Sequence, residues 1–187
     1  MIRNSLRSSL PFALAGLAIV ILYFGVRAVS SQDVYRASDP PVGQPQPVLR
    51  VATLRTAKHD PVRSTERPCL LVFTDGCAQC SVATIGWMMR EMTKVTPHLP
   101  AIMFVSPDAS LYDKVSAKLG SGVKVRYAVI VPDHYLESCH AYNAQWFPRS
   151  YLIDAAGNIA YCQHYGESPA RLAAKAEQII KGKRVGR

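Results

Sequence analysis

From residue 69 onward, short apolar runs alternate with longer stretches of helical periodicity, and this alternation constrains the fold more than any other feature of the chain. The strand-like runs fall at 69–74, 101–106, 126–131, 149–154 and 159–164, and the helix-like stretches at 81–95, 110–119, 134–144 and 168–180. Strands and helices in alternation predict an α/β sandwich, with helices packed over a sheet. Ala155-Ala156-Gly157-Asn158 separates the last two strands and is a good turn sequence, so that pair is expected as an antiparallel hairpin in a mixed sheet. Trp87, Met88 and Met92 lie on or near one face of the first helix, where such a stripe reads as core packing.

Within this pattern, Cys77-Ala78-Gln79-Cys80 follows the first apolar run and opens the first helix. At a helix N-terminus the unpaired backbone N–H groups and the macrodipole stabilise an anion, so Cys77 can lose its proton more readily than a free thiol. Cys77 is therefore the candidate nucleophile. Cys80, one turn further, is placed to close a short disulfide and release a mixed-disulfide intermediate, which makes it the candidate resolving thiol. Half of a zinc site has the same spacing, but no second C-x-x-C or H-x-x-x-H pair accompanies it. Cys139-His140 and Cys162-Gln163-His164 could supply ligands from a distance, and no metal is assigned. Asp75 lies two residues before Cys77, where its charge can raise the thiol pKa; a solvated aspartate at a strand end is the plainer reading.

A chain of 187 residues accommodates one domain of ordinary size plus flanking material. The first of these flanks is an uncharged run from Leu10 to Val26, with Arg3 and Arg7 before it and Arg27 after it. That length spans a bilayer at the short end. The charges favour a cytoplasmic N-terminus, which sends the remainder to the far side. Residues 1–30 are expected to form a transmembrane anchor; the competing reading is a signal peptide cut at Ala28-Val29-Ser30. Residues 31–47, with four prolines in the last nine positions, read as a semi-extended linker. Residues 48–182 then make the domain, which opens on a strand at Val48 to Leu54 in a small hairpin preceding the core. Residues 183–187 form a basic tail.

The stretch Tyr142-Asn143-Ala144-Gln145-Trp146-Phe147-Pro148-Arg149-Ser150-Tyr151-Leu152-Ile153-Asp154 runs from a helix end through a proline into a strand, with a glycine turn at Gly157. Together with the C-x-x-C about 70 residues upstream, it resembles thioredoxin-like proteins, and in particular the membrane-tethered redoxins of the TlpA and ResA kind. The resemblance covers about Val48 to Ile180. It implies a thioredoxin-like three-layer α/β/α sandwich preceded by one transmembrane helix. It also implies a thiol:disulfide oxidoreductase whose only cofactor is its own Cys77–Cys80 disulfide. Pro148 would be the cis-proline facing the motif, and Phe147 would offer backbone groups to a bound substrate strand. Gly76 departs from the tryptophan common at that position, and Ala78 and Gln79 match neither typical reducing nor typical oxidising motifs.

The partners implied are protein thiols or disulfides and a transmembrane electron donor, with the domain on the periplasmic side of a bacterial inner membrane. Reduction is the favoured direction. A net charge of +9 arrives without a nucleic-acid motif, so no nucleic-acid partner is expected. Two other classes stay open: a thioredoxin-fold Cu(I)-binding assembly factor using the two thiolates and a histidine, and a non-catalytic interaction module with a static disulfide. Of the remaining cysteines, Cys69 reads as a small buried hydrophobe, while Cys139 and Cys162 are either a structural disulfide or separate thiols. His134, His140 and His164 read as solvated or hydrogen-bonded rather than as ligands.

Overall fold

The computed structural model describes residues 39–75, 78–96, 98–119 and 125–181, the side chains of 78–81 excepted. Their elements run β1 (Val51–Thr56), β2 (Cys69–Phe73), α1 (Ala78–Val95), β3 (Ala101–Val105), α2 (Leu111–Leu119), β4 (Tyr127–Pro132), α3 (Tyr135–Tyr142), β5 (Arg149–Ile153), β6 (Ile159–Cys162) and α4 (Pro169–Ile180). The strands form one sheet in the order β1-β4-β3-β2-β5-β6. β2, β3 and β4 are parallel, while β1, β5 and β6 each pair antiparallel with their neighbours.

The central strands are apolar without interruption because both of their faces are covered. Every residue of β2 and β3 is buried. Leu70, Val72, Ile102 and Phe104 meet Ile85, Met89 and Met92 of α1 and Leu172 and Ala173 of α4 on one face. Cys69, Leu71, Phe73, Met103 and Val105 meet Cys139 and Tyr142 of α3 on the other. The side-chain period of two thus divides one hydrophobic run between two cores. The crossovers β2-α1-β3 and β3-α2-β4 progress across the sheet in one direction, so α1 and α2 share a face, and the return from β4 to β5 puts α3 on the opposite one. The result is the expected α/β/α arrangement with a mixed sheet, including the β5–β6 hairpin.

Three expectations are corrected. β1 does not form a hairpin ahead of the core; it joins the sheet edge beside β4, with Leu54 opposite Ile130. There it satisfies backbone groups that β4 would otherwise leave open. Residues 39–47 do not stand off as a spacer: Gly43 N–H donates to the Ile159 carbonyl (2.8 Å), Ile159 N–H to Gln44 (2.8 Å) and Gln46 N–H to Gly157 (3.1 Å). The non-proline residues of this segment keep the donors and acceptors that pair it with the β5–β6 turn and the start of β6, so this stretch packs on the domain. Trp87 is half exposed (49 %) whereas Met88 and Met92 are buried, because a step of one residue on α1 turns the indole off the core face.

The expected anchor at 1–30, linker residues 31–38 and the tail at 183–187 lie outside the described residues. Among the described residues no helix is long and apolar enough to cross a membrane.

Candidate functional site

The approach to the cysteine motif is held from two sides. β2 ends at Phe73, and Thr74 continues it with two bonds to the Val105 carbonyl, from its N–H (3.0 Å) and its hydroxyl (3.2 Å). From the opposite direction, the Tyr135 hydroxyl of α3 donates to the Thr74 carbonyl. Thr74 is buried and Asp75 partly so. Helix α1 begins at Ala78 and includes Cys80 in its first turn. Cys77 itself and the Cys80 side chain lie outside the described residues, as does the relation of Asp75 to them.

β5 brings the second predicted element to the same end of the sheet. Arg149, its first residue, stands in register opposite Phe73, the last residue of β2. The peptide bond Phe147–Pro148 immediately before it is cis, the geometry the resemblance implies for that proline. Phe147 is 38 % exposed beside it. The proline loop and the residues leading into the motif are therefore neighbours by strand register.

Sequence reasoning missed what fixes this loop from below. Arg149 is 1 % exposed. Its Nη1 donates to the Asn143 carbonyl (2.7 Å), its Nη2 donates to Asp39 Oδ1 (2.5 Å), and its guanidinium lies 3.9 Å over the Trp146 ring. Asp39 Oδ1 also accepts from Asn143 Nδ2 at 2.7 Å. Asn143 ends α3 in the left-handed region (φ 55°), which a short polar residue tolerates better than most, and its N–H bonds back to Cys139 and His140. Trp146 in turn meets Tyr165 edge to face, centroids 5.5 Å apart. An arginine opening a strand and an aspartate 110 positions away carry no local signal of their pairing.

The three described cysteines are free, buried thiols. Cys139 and Cys162 are thus separate, the second of the two arrangements left open by the sequence. Burial pushes Cys69 up to about 11, with the neighbouring Arg67 pulling the other way; Arg67 Nη1 donates to its sulfur at 3.3 Å. Burial likewise pushes Cys162 up to about 11 and raises Cys139. Such thiols are poor nucleophiles at neutral pH. His134, His140 and His164 are exposed. No group of three or more His, Cys, Asp or Glu gathers as a metal site among the described residues.

No family model matches the chain, and no curated relative does either. Solved structures do. A candidate protein disulfide isomerase from Bacteroides thetaiotaomicron superposes with a TM-score of 0.50 at 20 % identity, over 76 % of this chain and 91 % of that one. A thioredoxin-like superfamily protein gives 0.50 at 16 % identity, over 74 % and 97 %. A conserved protein of uncharacterised function from Geobacillus kaustophilus gives 0.50 at 17 % identity, over 78 % and 85 %. At these identities the likeness establishes the fold, which is thioredoxin-like.

Proposed function

We propose that this thioredoxin-like chain is a membrane-tethered, extracytoplasmic thiol:disulfide oxidoreductase that acts on protein disulfides through Cys77 and Cys80. The observation that carries the reading is the convergence of two elements at one end of the sheet. β2 leads through a braced Thr74 towards the C-x-x-C, and the register Phe73–Arg149 brings the strand that follows Phe147–Pro148 to that same end of the sheet. A likeness of fold to a candidate protein disulfide isomerase supports the same reading.

The chemistry follows from the residue types. Cys77 thiolate attacks one sulfur of a substrate disulfide, forming a mixed disulfide and expelling the other sulfur as a thiolate that takes up a proton. Cys80 thiolate then attacks the Cys77 sulfur, freeing the second substrate thiol and leaving Cys77–Cys80 oxidised. Two electrons pass to the substrate. They return from a thiol donor, which for a domain held outside the cytosol is a transmembrane partner. Phe147 and Pro148 form the opposite wall of the substrate groove, and Asp75 is the charged group nearest the motif in sequence. Reduction is the proposed direction.

Substituting Cys80 tests this scheme, since the second step then fails. Cys80→Ala incubated with a disulfide substrate such as insulin should accumulate a covalent adduct released by dithiothreitol, and Cys77→Ala should accumulate none. Equal trapping by both variants would overturn the assignment of roles. No trapping by either would favour a static disulfide or a metal-binding pair.

A further inference from the structure

One face of the sheet carries α1, α2 and α4, and the other carries α3 with irregular chain. A single helix of eight residues cannot roof six strands, so the segments 46–49 and 64–67 complete the cover beside β1. The cover leaves a cavity of about 290 Å³. Its floor is the sheet itself, from Leu71 of β2, Met103 of β3 and Ile130 of β4, all buried; Leu49 and Val51 add apolar wall. Pro47 and Val48 add further apolar lining, and the polar residues of the lining are Gln46, Ser64, Thr65 and Arg67.

The charge of that polar side is one-signed. Arg67 is partly buried, and its Nη1 donates to the carbonyls of Ser64 (3.3 Å) and Glu66 (2.6 Å) and to Cys69. Among the described residues it has no carboxylate within ion-pair distance, because the adjacent Glu66 is bound to Arg126 instead. No Asp or Glu lines the cavity. Among the described residues Nη2 and Nε of Arg67 form no hydrogen bond, and the cavity that this side chain lines also has an aliphatic floor. A half-buried guanidinium favours an anionic, preferably planar and bidentate acceptor. The apolar floor favours a hydrocarbon attached to it.

We infer that this cavity is a binding site for a medium-chain aliphatic carboxylate, its head on Arg67 and its tail over Leu71, Met103 and Ile130. At ~30 Å³ per water the volume corresponds to about ten waters, so a ligand of about ten heavy atoms, such as octanoate, fits the space. The site lies apart from Cys77 and Cys80 in sequence and does not depend on the redox reading.

A photoreactive diazirine analogue of octanoate, applied to the full chain in lipid nanodiscs, tests the inference by mapping the labelled peptides. Labelling should concentrate on the segments 46–51 and 64–71. Octanoate should compete at least tenfold better than octanol, which lacks the charge, and than butanoate, which lacks the tail. Arg67→Gln should reduce labelling at least tenfold. Because Arg67 also supports its own loop, Val51→Phe serves as the second variant: it fills the apolar end, leaves Arg67 in place and should abolish labelling while keeping the melting temperature. Labelling spread over other surfaces, octanol competing as well as octanoate, or full labelling of a folded Val51→Phe protein would each overturn the proposal.

Discussion

Asp39 and Arg149, 110 positions apart, form an ion pair at 2.5 Å in which the guanidinium is 1 % exposed and the carboxylate side chain 37 % exposed. The pair joins the segment entering the domain to the strand that follows the Phe147–Pro148 loop. Asp39→Ala leaves Arg149 with the Asn143 carbonyl and the Trp146 and Tyr151 rings as its remaining partners. Removing one member of a fully buried pair costs about 3–5 kcal/mol. With Asp39 partly solvated, a loss of about 2 kcal/mol is expected, read as a lower denaturation midpoint in urea at unchanged slope.

The Tyr135 hydroxyl supplies the α3 side of the brace on Thr74. Tyr135→Phe keeps the ring and deletes that donor, so the buried Thr74 carbonyl loses a partner at a cost of about 1–2 kcal/mol. In the redox scheme the substitution should also slow Cys80→Ala trapping severalfold, since Thr74 leads directly into the motif. An unchanged trapping rate with lowered stability would confine Tyr135 to a structural role.

Buried thiols make alkali destabilising. Cys69 binds its proton more tightly in the folded state, about 11 against an ordinary 9.0. Between those values the unfolded chain has lost a proton that the native chain keeps, so the unfolding free energy falls as pH rises. The contribution is complete below about pH 9 and disappears through about pH 11, a loss on the order of 2 kcal/mol for this thiol. Cys69→Ala should flatten the pH profile of stability in that window. At pH 8 the native protein should leave Cys69, Cys139 and Cys162 unalkylated by iodoacetamide until denaturant is added.

On α1, two positions five residues apart should differ sharply. Met92 is fully buried against the sheet and Trp87 is 49 % exposed. Met92→Ala is expected to cost about 2–5 kcal/mol through lost burial and a residual cavity. Trp87→Ala should cost less than about 1 kcal/mol despite removing the larger side chain. Paired urea titrations of the two variants decide this.

The α/β architecture was legible because β2, β3 and β5 are fully buried runs separated by helical stretches, a pattern set by burial on both faces of a sheet. The β5–β6 hairpin was legible from the turn at Gly157, where φ is +86°. The cis geometry before Pro148 entered through resemblance, not through any local property of Phe147. The placement of β1 was not legible, because a half-exposed edge strand has the same local pattern whether it pairs in a hairpin or with β4. The docking of residues 39–47 was hidden for a related reason. Proline content predicts the absence of regular structure, but the bonds of Gly43, Gln44 and Gln46 depend on where the β6 edge lies in space. The Asp39–Arg149 pair and the Arg67 cavity are both products of tertiary contact between distant segments.

The reduction potential of the full chain decides whether Cys77 and Cys80 exchange electrons as a pair. Equilibration in graded glutathione and dithiothreitol buffers should give a reversible two-electron transition, and Cys80→Ala should abolish it. Absence of any transition across that range in the unsubstituted protein would contradict the account.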